Sequence, residues 1–384
     1  MKLEIIATAT FGLEAVVKRE IEALGYKIIK SEDGKITFMG DERAVVKANL
    51  WLRTADRIQI KMGEFMAYEF EDLFQQIKAI PWEEWIPIDG KFVVNGTSVK
   101  SKLSSVPACQ SVSEKAIVER LKETYDVEHF EKTGALYDIK VAILKDRVTV
   151  TLDTTGPGLH KRGYRQRGVL APIKETLAAA MVELSFWKKD RILIDPCCGS
   201  GTIPIEAAMI GKNIAPGLNR NFVAEEWEAI PKNLWKEERQ QAYGKIETET
   251  SLRIFASDIN PLAVEVAMKN AEDAGVDDCI TFSVGDISTV KIHEEGVVMV
   301  TNPPYGERIG DRKAIDDIYK TYRKLFSENP TWSLFVITPD KTIENKVLGR
   351  PANRRRKLYN GRLEVCYYQF HGEKPNEYKD RKRQ

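Results

Sequence analysis

The chain has 384 residues, of which 43% are hydrophobic, and a chain of this size buries enough apolar surface for two or three domains. Its 58 basic and 57 acidic residues leave a net charge of +1, which excludes a polycation that binds partners by overall charge. Five cysteines without a CxxC pair argue against a disulfide framework or structural zinc, so we expect reduced thiols and no metal. The N-terminus lacks the pattern of a signal peptide and no run approaches about 18 apolar residues, so we expect a cytoplasmic protein without a membrane partner.

Residues 1–63 have the pattern of a small ferredoxin-like domain of α+β type. Apolar residues recur at helical spacing from Leu13 to Leu24 and stop at Gly25, which predicts a helix. Apolar and polar residues alternate around Ile36, which predicts a strand.

Residues 64–155 form a second mixed region. The pattern predicts helices at 72–80 and 111–125, a strand at 91–96, and two strands within 135–153. Residues 156–170 then concentrate glycine, proline and positive charge, which is typical of a basic linker. We therefore place the main domain boundary there.

Residues 171–384 alternate short apolar runs with helical segments. The apolar runs are 191–195, 253–258, 280–286, 297–302 and 332–338. This alternation predicts a mostly parallel α/β sheet covered by helices on both faces. Asn360-Gly361 joins two further strand-like runs and predicts a tight antiparallel hairpin at the C-terminal end of that sheet.

The first apolar run leads into the turn DPCCGSGT, residues 195–202. Ligands of such sheets bind at the carboxyl ends of the strands, and Gly199 and Gly201 permit a close approach of backbone and ligand. A dinucleotide would require glycine where Asp195 stands, because a carboxylate repels pyrophosphate but accepts hydrogen bonds from an ammonium group. The turn therefore favours S-adenosylmethionine over a dinucleotide, and a turn that only connects strand and helix is the remaining interpretation.

Two further acids follow the next strands. Asp258, before Ile259, is placed to accept hydrogen bonds from ribose hydroxyls. Asp286 is placed to accept from an adenine amine, while Ile287 would pack on the adenine ring. Three acids at successive strand ends point to one nucleoside ligand more strongly than any of them alone.

An unusually long segment separates the first two acids. Asp258 lies 63 residues after Asp195, whereas a simple strand–helix–strand unit would need about 20. The excess, residues 211–249, is an insertion with helices of its own. It either shapes the entrance for the substrate or only covers the surface, and the sequence leaves both interpretations open.

The fourth strand ends in NPPYGER, residues 302–308. The side-chain oxygen of Asn302 and the carbonyl of Pro303 are two acceptors that can hold an exocyclic amine and aim its lone pair at a methyl donor. Pro303 and Pro304 stiffen the loop, and Tyr305 offers a ring for an extruded base. This chemistry needs positioning more than a strong base.

These motifs carry a family resemblance. Residues 163–370 resemble the class I, Rossmann-like S-adenosylmethionine-dependent methyltransferases that act on amines. The whole chain resembles the bacterial RNA guanine-N2 methyltransferases with ferredoxin-like and THUMP domains, and is similar to the N-terminal half of the 23S rRNA enzymes. This resemblance implies a ferredoxin-like domain at 1–63, an RNA-binding THUMP domain at 64–155 (the THUMP-like region) and a methyltransferase domain at 171–384. The matching segments are GYRQRGVLAPIKETLAAAM (163–181), DPCCGSGT (195–202), SDINPLAVEVAMKNA (257–271), VGD (284–286) and NPPYGER (302–308).

The resemblance implies roles for individual residues. The residues expected at the cofactor are Asp195, Pro196, Gly199, Ser200, Gly201, Thr202, Asp258, Ile259, Asp286 and Ile287, with Pro172 and Glu175 flanking its methionine end. The residues expected to hold the target guanine are Asn302, Pro303, Pro304 and Tyr305.

Two basic segments suggest RNA contacts. The residues expected there are Lys100, Lys102 and Lys115 in the THUMP-like region, and Lys161, Arg162, Tyr164, Arg165 and Arg167 in the linker. Lysines suit phosphate contacts, and arginines around a tyrosine suit looped RNA. A solvated basic face is the alternative interpretation.

The sequence therefore predicts transfer of methyl from S-adenosylmethionine to N2 of a guanosine in structured RNA. The favoured substrate is 23S rRNA, and tRNA is the nearest alternative because THUMP domains also bind tRNA. A non-catalytic RNA-binding assembly factor would require broken motifs, and none of the motifs is broken. A nicotinamide oxidoreductase would instead bind NADH and not S-adenosylhomocysteine.

Overall fold

A computed structural model of the protein describes residues 1–165, 173–305 and 311–374, except for the side chains of residues 311, 312 and 314. The chain divides into two compact units. The first unit consists of Met1–Ala9, Val17–Leu159 and Arg220–Gln241, and the second of Thr10–Val16, His160–Asn219 and Ala242–Gln384.

The helices and strands follow one another in the predicted alternation. Up to residue 159 they are β1 (Leu3–Ala9), α1 (Glu14–Ala23), β2 (Lys27–Glu32), β3 (Lys35–Gly40), α2 (Glu42–Trp51), β4 (Ala55–Met66), α3 (Phe70–Lys78), β5 (Lys91–Val99), α4 (Val106–Tyr125), β6 (Leu136–Leu144) and β7 (Arg147–Asp153). Beyond it they are α5 (Glu175–Leu184), β8 (Leu193–Asp195), α6 (Thr202–Gly211), α7 (Lys232–Gly244), β9 (Ile254–Asp258), α8 (Pro261–Ala274), β10 (Ile280–Val284), β11 (Val298–Thr301), α9 (Asp311–Glu328), β12 (Ser333–Thr338), α10 (Ile343–Val347), β13 (Arg354–Asn360) and β14 (Leu363–Phe370).

One continuous sheet runs through the first unit, in the strand order β2-β3-β1-β4-β7-β6-β5. The long strand β4 joins its two halves, because its first part pairs with β1 and its second part pairs with β7. The boundary predicted between residues 63 and 64 falls inside β4. The ferredoxin-like and THUMP regions therefore share backbone hydrogen bonds.

The insertion contributes to the first unit. Of the predicted segment 211–249, residues 220–241 belong to this unit. The indole of Trp227 is fully buried, stacks on Tyr137 with ring centroids 4.8 Å apart, and donates from Nε1 to the carbonyl of Leu136 at 2.9 Å. This part of the insertion therefore completes the hydrophobic core of the first unit.

The second unit contains the predicted mostly parallel sheet, in the order β10-β9-β8-β11-β12-β14-β13. The first five strands in this order, β10, β9, β8, β11 and β12, are parallel to one another. The hairpin of β14 and β13 adds two antiparallel strands. Gly361 turns that hairpin with a φ of +64°. The order of the strands reverses between β8 and β11, and this reversal is where ligands of such sheets bind. The predicted α/β fold class is confirmed.

The described part of the chain contains neither a candidate membrane span nor a candidate metal site. No helix in it is both long and apolar enough to span a membrane. No three His, Cys, Asp or Glu side chains in it are grouped so that they could hold a metal ion. All five cysteines are free thiols.

Candidate functional site

The predicted strand-end residues meet at one edge of the second sheet. Asp195 is the last residue of β8, Asp258 the last of β9, and Asn302 directly follows β11. Since β8 lies between β9 and β11 in a parallel arrangement, these three residues are neighbours at the carboxyl edge. Asp286 follows two residues after the end of β10, which is the edge strand next to β9.

The two glycines of the turn serve different purposes. Both have positive φ, +52° at Gly199 and +81° at Gly201, which favours glycine over other residues. A Cβ at Gly201 would lie 3.0 Å from the Cβ of Ala267, so this glycine lets α8 pack against the turn. A Cβ at Gly199 would meet nothing within 4 Å. Gly199 is thus the position at which a ligand can approach bare backbone.

Asp195 is a buried carboxyl group. Its side chain is 1% exposed and accepts hydrogen bonds from Thr301 Oγ1 at 2.9 Å and from the backbone N–H of Cys197 at 3.2 Å. Burial raises its pKa to about 7, because the ionised form loses water. A ligand ammonium beside Asp195 would restore the missing countercharge.

Asp258 connects β9 to the glycine turn. Its carboxylate accepts from the backbone N–H of Gly199 at 2.9 Å and from that of Asn260 at 2.9 Å. Each carboxylate oxygen can accept a second hydrogen bond. Asp258 can therefore hold the turn in place and still accept hydroxyl groups of a ligand.

The third strand end differs from the prediction in one residue. Asp286 is exposed and accepts from the backbone N–H of Ser288 at 2.9 Å, and its hydrogen bonds with Ser288 lower its pKa. Ile259 is 71% exposed beside this edge. Ile287, in contrast, is 3% exposed and packs in the core of the second unit. The predicted packing of Ile287 on an adenine ring is therefore wrong, because its side chain points inward.

Several other predicted cofactor residues have buried side chains. Ser200 and Thr202 are 3% and 2% exposed, and Pro196 is also buried. A ligand at the turn would therefore meet mainly backbone. Pro172 lies outside the described residues.

The linker residues depart from the predicted RNA-binding role. Arg162 and Tyr164 are each 2% exposed, and both contact the fully buried Glu206 of α6: the ion pair measures 3.2 Å, and the tyrosine hydroxyl donates to Oε1 at 3.2 Å. A buried carboxylate is costly unless it is paired, and this pairing requires both side chains to point inward. The prediction that they contact RNA is wrong. Lys161 is exposed, and Arg167 lies outside the described residues.

Arg165 also points toward the protein and not away from it. Its Nη2 donates to Thr202 Oγ1 at 2.5 Å and to the carbonyl of Ile173 at 3.3 Å. Its Nε lies 3.2 Å from Glu175 Oε1. Arg165 thus contacts two residues predicted at the cofactor, Thr202 and Glu175, and its predicted contact with RNA is replaced by contacts inside the second unit.

The residues after β11 form a compact acceptor group. The hydroxyl of Tyr305 donates to Asn302 Oδ1 at 2.6 Å, which orients the amide. Burial raises the pKa of Tyr305 to about 12, so its hydroxyl stays protonated and remains a donor. Asn302 Oδ1 has a second lone pair for another donor. Pro303 is buried and Pro304 is exposed.

A cavity of about 450 Å³ adjoins this group. Its walls include Pro304, Tyr305, Tyr319, Asp340 and Lys346. Tyr305 and Pro304 suit a planar ring, and the charged groups suit its polar edge, whereas Tyr319 is only 2% exposed and offers little ring surface. The cavity has the size and chemistry for a nucleobase beside Asn302.

Three residues that support the site were not predicted from the sequence. Thr301 donates to Asp195, Asn270 Nδ2 donates to the carbonyl of Ser200 at 3.0 Å, and Glu206 pairs with Arg162. Of these, only Thr301 could have been predicted, because it is a hydroxyl residue at the end of a buried apolar strand. The partners of Asn270 and Glu206 lie far away in sequence.

The predicted lysines of the first unit lie at its surface. Lys100 is exposed, with a φ of +51°, and the side chain of Lys115 is 72% exposed. Lys102 is exposed, and its Nζ lies 4.9 Å from the ring centroid of Tyr68. All three ammonium groups belong to the THUMP-like half of the unit and are placed where phosphates could reach them.

Family models match three consecutive parts of the chain. An RlmL ferredoxin-like domain matches residues 4–59, a THUMP domain residues 67–153, and the UPF0020 family, described as an RMKL-like methyltransferase domain, residues 162–369.

Several known proteins match almost the full length of the chain. YpsC of Bacillus subtilis (strain 168), named as a candidate RNA methyltransferase, is 49% identical over 96% of both chains. A crystal structure from Listeria monocytogenes, described by prediction as an N6-adenine-specific DNA methylase, has a TM-score of 0.93 at 47% identity over 97% of both chains. SMU.472, a candidate methyltransferase crystallised with S-adenosylhomocysteine, has a TM-score of 0.92 at 43% identity, over 97% of this chain and 99% of that one.

Proposed function

The chain belongs to the RMKL-like methyltransferase family with an RlmL-type ferredoxin-like domain and a THUMP domain, and we propose that it methylates N2 of a guanosine in structured RNA with S-adenosylmethionine. The observation that carries the proposal is the meeting of Asp195, Asp258 and Asn302 at one sheet edge. An acceptor for an ammonium, an acceptor for ribose and an acceptor for an amine thus adjoin one another.

The residues at the strand ends fit this cofactor. Gly199 leaves open backbone that a Cβ would cover. Asp195 is a buried carboxyl group, and among the described residues its hydrogen-bond donors are a hydroxyl and a backbone N–H, both uncharged. A methionine ammonium would fit beside Asp195, and ribose hydroxyls beside Asp258. The structure of the 43% identical SMU.472 with S-adenosylhomocysteine supports this assignment.

When bound, S-adenosylmethionine supplies a methyl group activated by the sulfonium charge. Asn302 Oδ1 and the Pro303 carbonyl accept the two N–H bonds of the guanine amine and direct its lone pair out of the ring plane. The hydrogen bond from Tyr305 keeps the Asn302 amide in the accepting orientation. The amine loses a proton after methylation, when it has become acidic, so these acceptors or water suffice.

The substrate must present its base outside a stack. Extrusion of a base costs a few kcal/mol, and the Tyr305 ring in the wall of the cavity provides aromatic surface that recovers part of this cost. The THUMP domain and the RNA methyltransferase relative support RNA as the substrate class. We favour 23S rRNA, because the N-terminal and methyltransferase domains both resemble those of the rRNA enzymes, with tRNA as the alternative.

The test compares cofactor binding with methyl transfer. We expect Asn302→Ala to bind S-adenosylhomocysteine within about twofold of the wild type, since the amide lies at the acceptor end, and to lose methyl transfer by at least about 100-fold. Calorimetry measures the first quantity, and mass spectrometry of rRNA and tRNA from cells with and without the gene identifies the methylated base.

Three results would count against the proposal. If deletion of the gene abolishes no guanosine methylation, the proposed substrate is wrong. If deletion instead abolishes an adenosine methylation, the enzyme belongs to the N6-adenine class. Full activity of Asn302→Ala would remove the proposed acceptor role.

A further inference from the structure

Arg165 stands out because it is a cation placed among the residues of the cofactor turn. Its Nη2 lies 2.5 Å from Thr202 Oγ1, at the end of the turn that begins with Asp195. Its Nε lies 3.2 Å from Glu175 Oε1. Nothing in the sequence motif of the turn itself provides a positive charge.

The charges around the turn are predominantly negative. Asp195, Asp258, Glu175 and Glu206 all lie in it or in the helices and strands that adjoin it. Such surroundings suit an ammonium and repel a carboxylate. An α-amino acid carries both groups on one carbon, so a site for methionine also needs donors for the carboxylate, and a guanidinium is a strong one.

Two arginines of the linker segment lie near the turn, and they differ in availability. Arg162 is buried against Glu206, and the ion-pair side chains are 1% and 0% exposed. The side chain of Arg165 keeps 17% of its surface exposed. Its hydrogen bonds and its ion pair with the described residues use Nε and Nη2. Among the described residues no acceptor is bonded to Nη1, so the two N–H groups of Nη1 can donate to a ligand.

We propose that Arg165 binds the carboxylate of the methionine moiety of S-adenosylmethionine, with Thr202 and Glu175 holding its guanidinium in place. Glu175 then acts as a positioning residue and not as a cofactor ligand. The inference rests on the proposed cofactor, and it assigns to cofactor binding a residue whose sequence context suggested RNA.

The test uses two ligands that differ only in this carboxylate. Calorimetry compares S-adenosylhomocysteine with decarboxylated S-adenosylhomocysteine, which retains the amine, for the wild type, Arg165→Gln and Arg165→Lys. We expect Arg165→Gln to weaken the affinity for S-adenosylhomocysteine by about 10- to 100-fold, which is the range for loss of a charged hydrogen bond. The affinity for the decarboxylated ligand should change by less than about threefold. Lysine should restore part of the loss.

Arg253→Gln is the matched control, since it removes a surface arginine of the same unit that pairs with Glu294. It should change neither affinity. If Arg165→Gln lowers the affinity for both ligands equally, Arg165 only supports the turn and the proposal is overturned. An unchanged affinity for both ligands would also overturn it.

A crystal of the wild type with S-adenosylhomocysteine decides the case if Arg165→Gln does not fold. A carboxylate within hydrogen-bond distance of Nη1 supports the proposal, and a carboxylate bound elsewhere overturns it. A wild type that does not bind S-adenosylhomocysteine would refute the proposed cofactor as well, which separates the two failures.

Discussion

Asp195 combines a functional position with a cost to stability, because burial raises its pKa from 3.8 to about 7. In the unfolded chain it ionises near 3.8, so the protonated folded form contributes stability that is complete below that pH and is lost as the pH rises through about 7. We expect Asp195→Asn, measured without cofactor, to raise the melting temperature at pH 8 by several degrees more than at pH 5. The exposed Asp190→Asn is the control, and a gain independent of pH would contradict the assignment.

Tyr305 allows the acceptor geometry to be tested separately from stacking. Tyr305→Phe keeps the ring and removes the hydroxyl that donates to Asn302 Oδ1. One hydrogen bond is worth about 1 kcal/mol, so we expect kcat to fall about 5- to 10-fold with little change in the KM for RNA. Steady-state kinetics measures both quantities. A rise in KM with unchanged kcat would show that the hydroxyl serves binding and not orientation of the amide.

Among the elements, the inserted segment 220–241 has the clearest structural effect. Trp227 is fully buried against Tyr137, and truncation of a buried tryptophan costs about 3–5 kcal/mol. We expect Trp227→Ala to lower the free energy of unfolding of the first unit by that amount in urea denaturation. Lys232→Ala, whose side chain is 75% exposed in the same segment, should leave it unchanged. Equal stability of the two variants would show that the segment is not part of the core.

At the scale of the whole molecule, we expect the two units to contribute separately to RNA binding and to catalysis. Replacing both Lys100 and Lys102 by alanine should weaken RNA binding and reduce the slope of log affinity against log salt by about 1.4 to 1.8, because two phosphate contacts are lost. Binding of S-adenosylhomocysteine should not change. Filter binding at several salt concentrations measures the slope.

Lys320→Ala is the control for that pair, since it removes an exposed lysine of the second unit that pairs with Asp317. It should leave the slope unchanged. An unchanged slope in the double variant would instead favour the interpretation of a solvated basic face.

Local patterns were enough to predict most of the architecture. The helix between Leu13 and Gly25, the alternating strands and the Asn360-Gly361 hairpin all depend on spacing or turn chemistry that neighbouring residues determine. The acids at the strand ends were predictable for the same reason, since a parallel sheet brings the carboxyl ends of its strands to one edge. The order of the strands and the family resemblance agree with this reasoning.

By itself, the sequence determined the kind of each element, the α/β fold class and the residues at the strand ends, because these depend on residues close together in the chain. Only the tertiary structure decided where the linker arginines and Ile287 point and which core receives Trp227. Those outcomes depend on partners such as Glu206 and Tyr137, which lie about 40 to 90 positions away and which folding alone brings into contact.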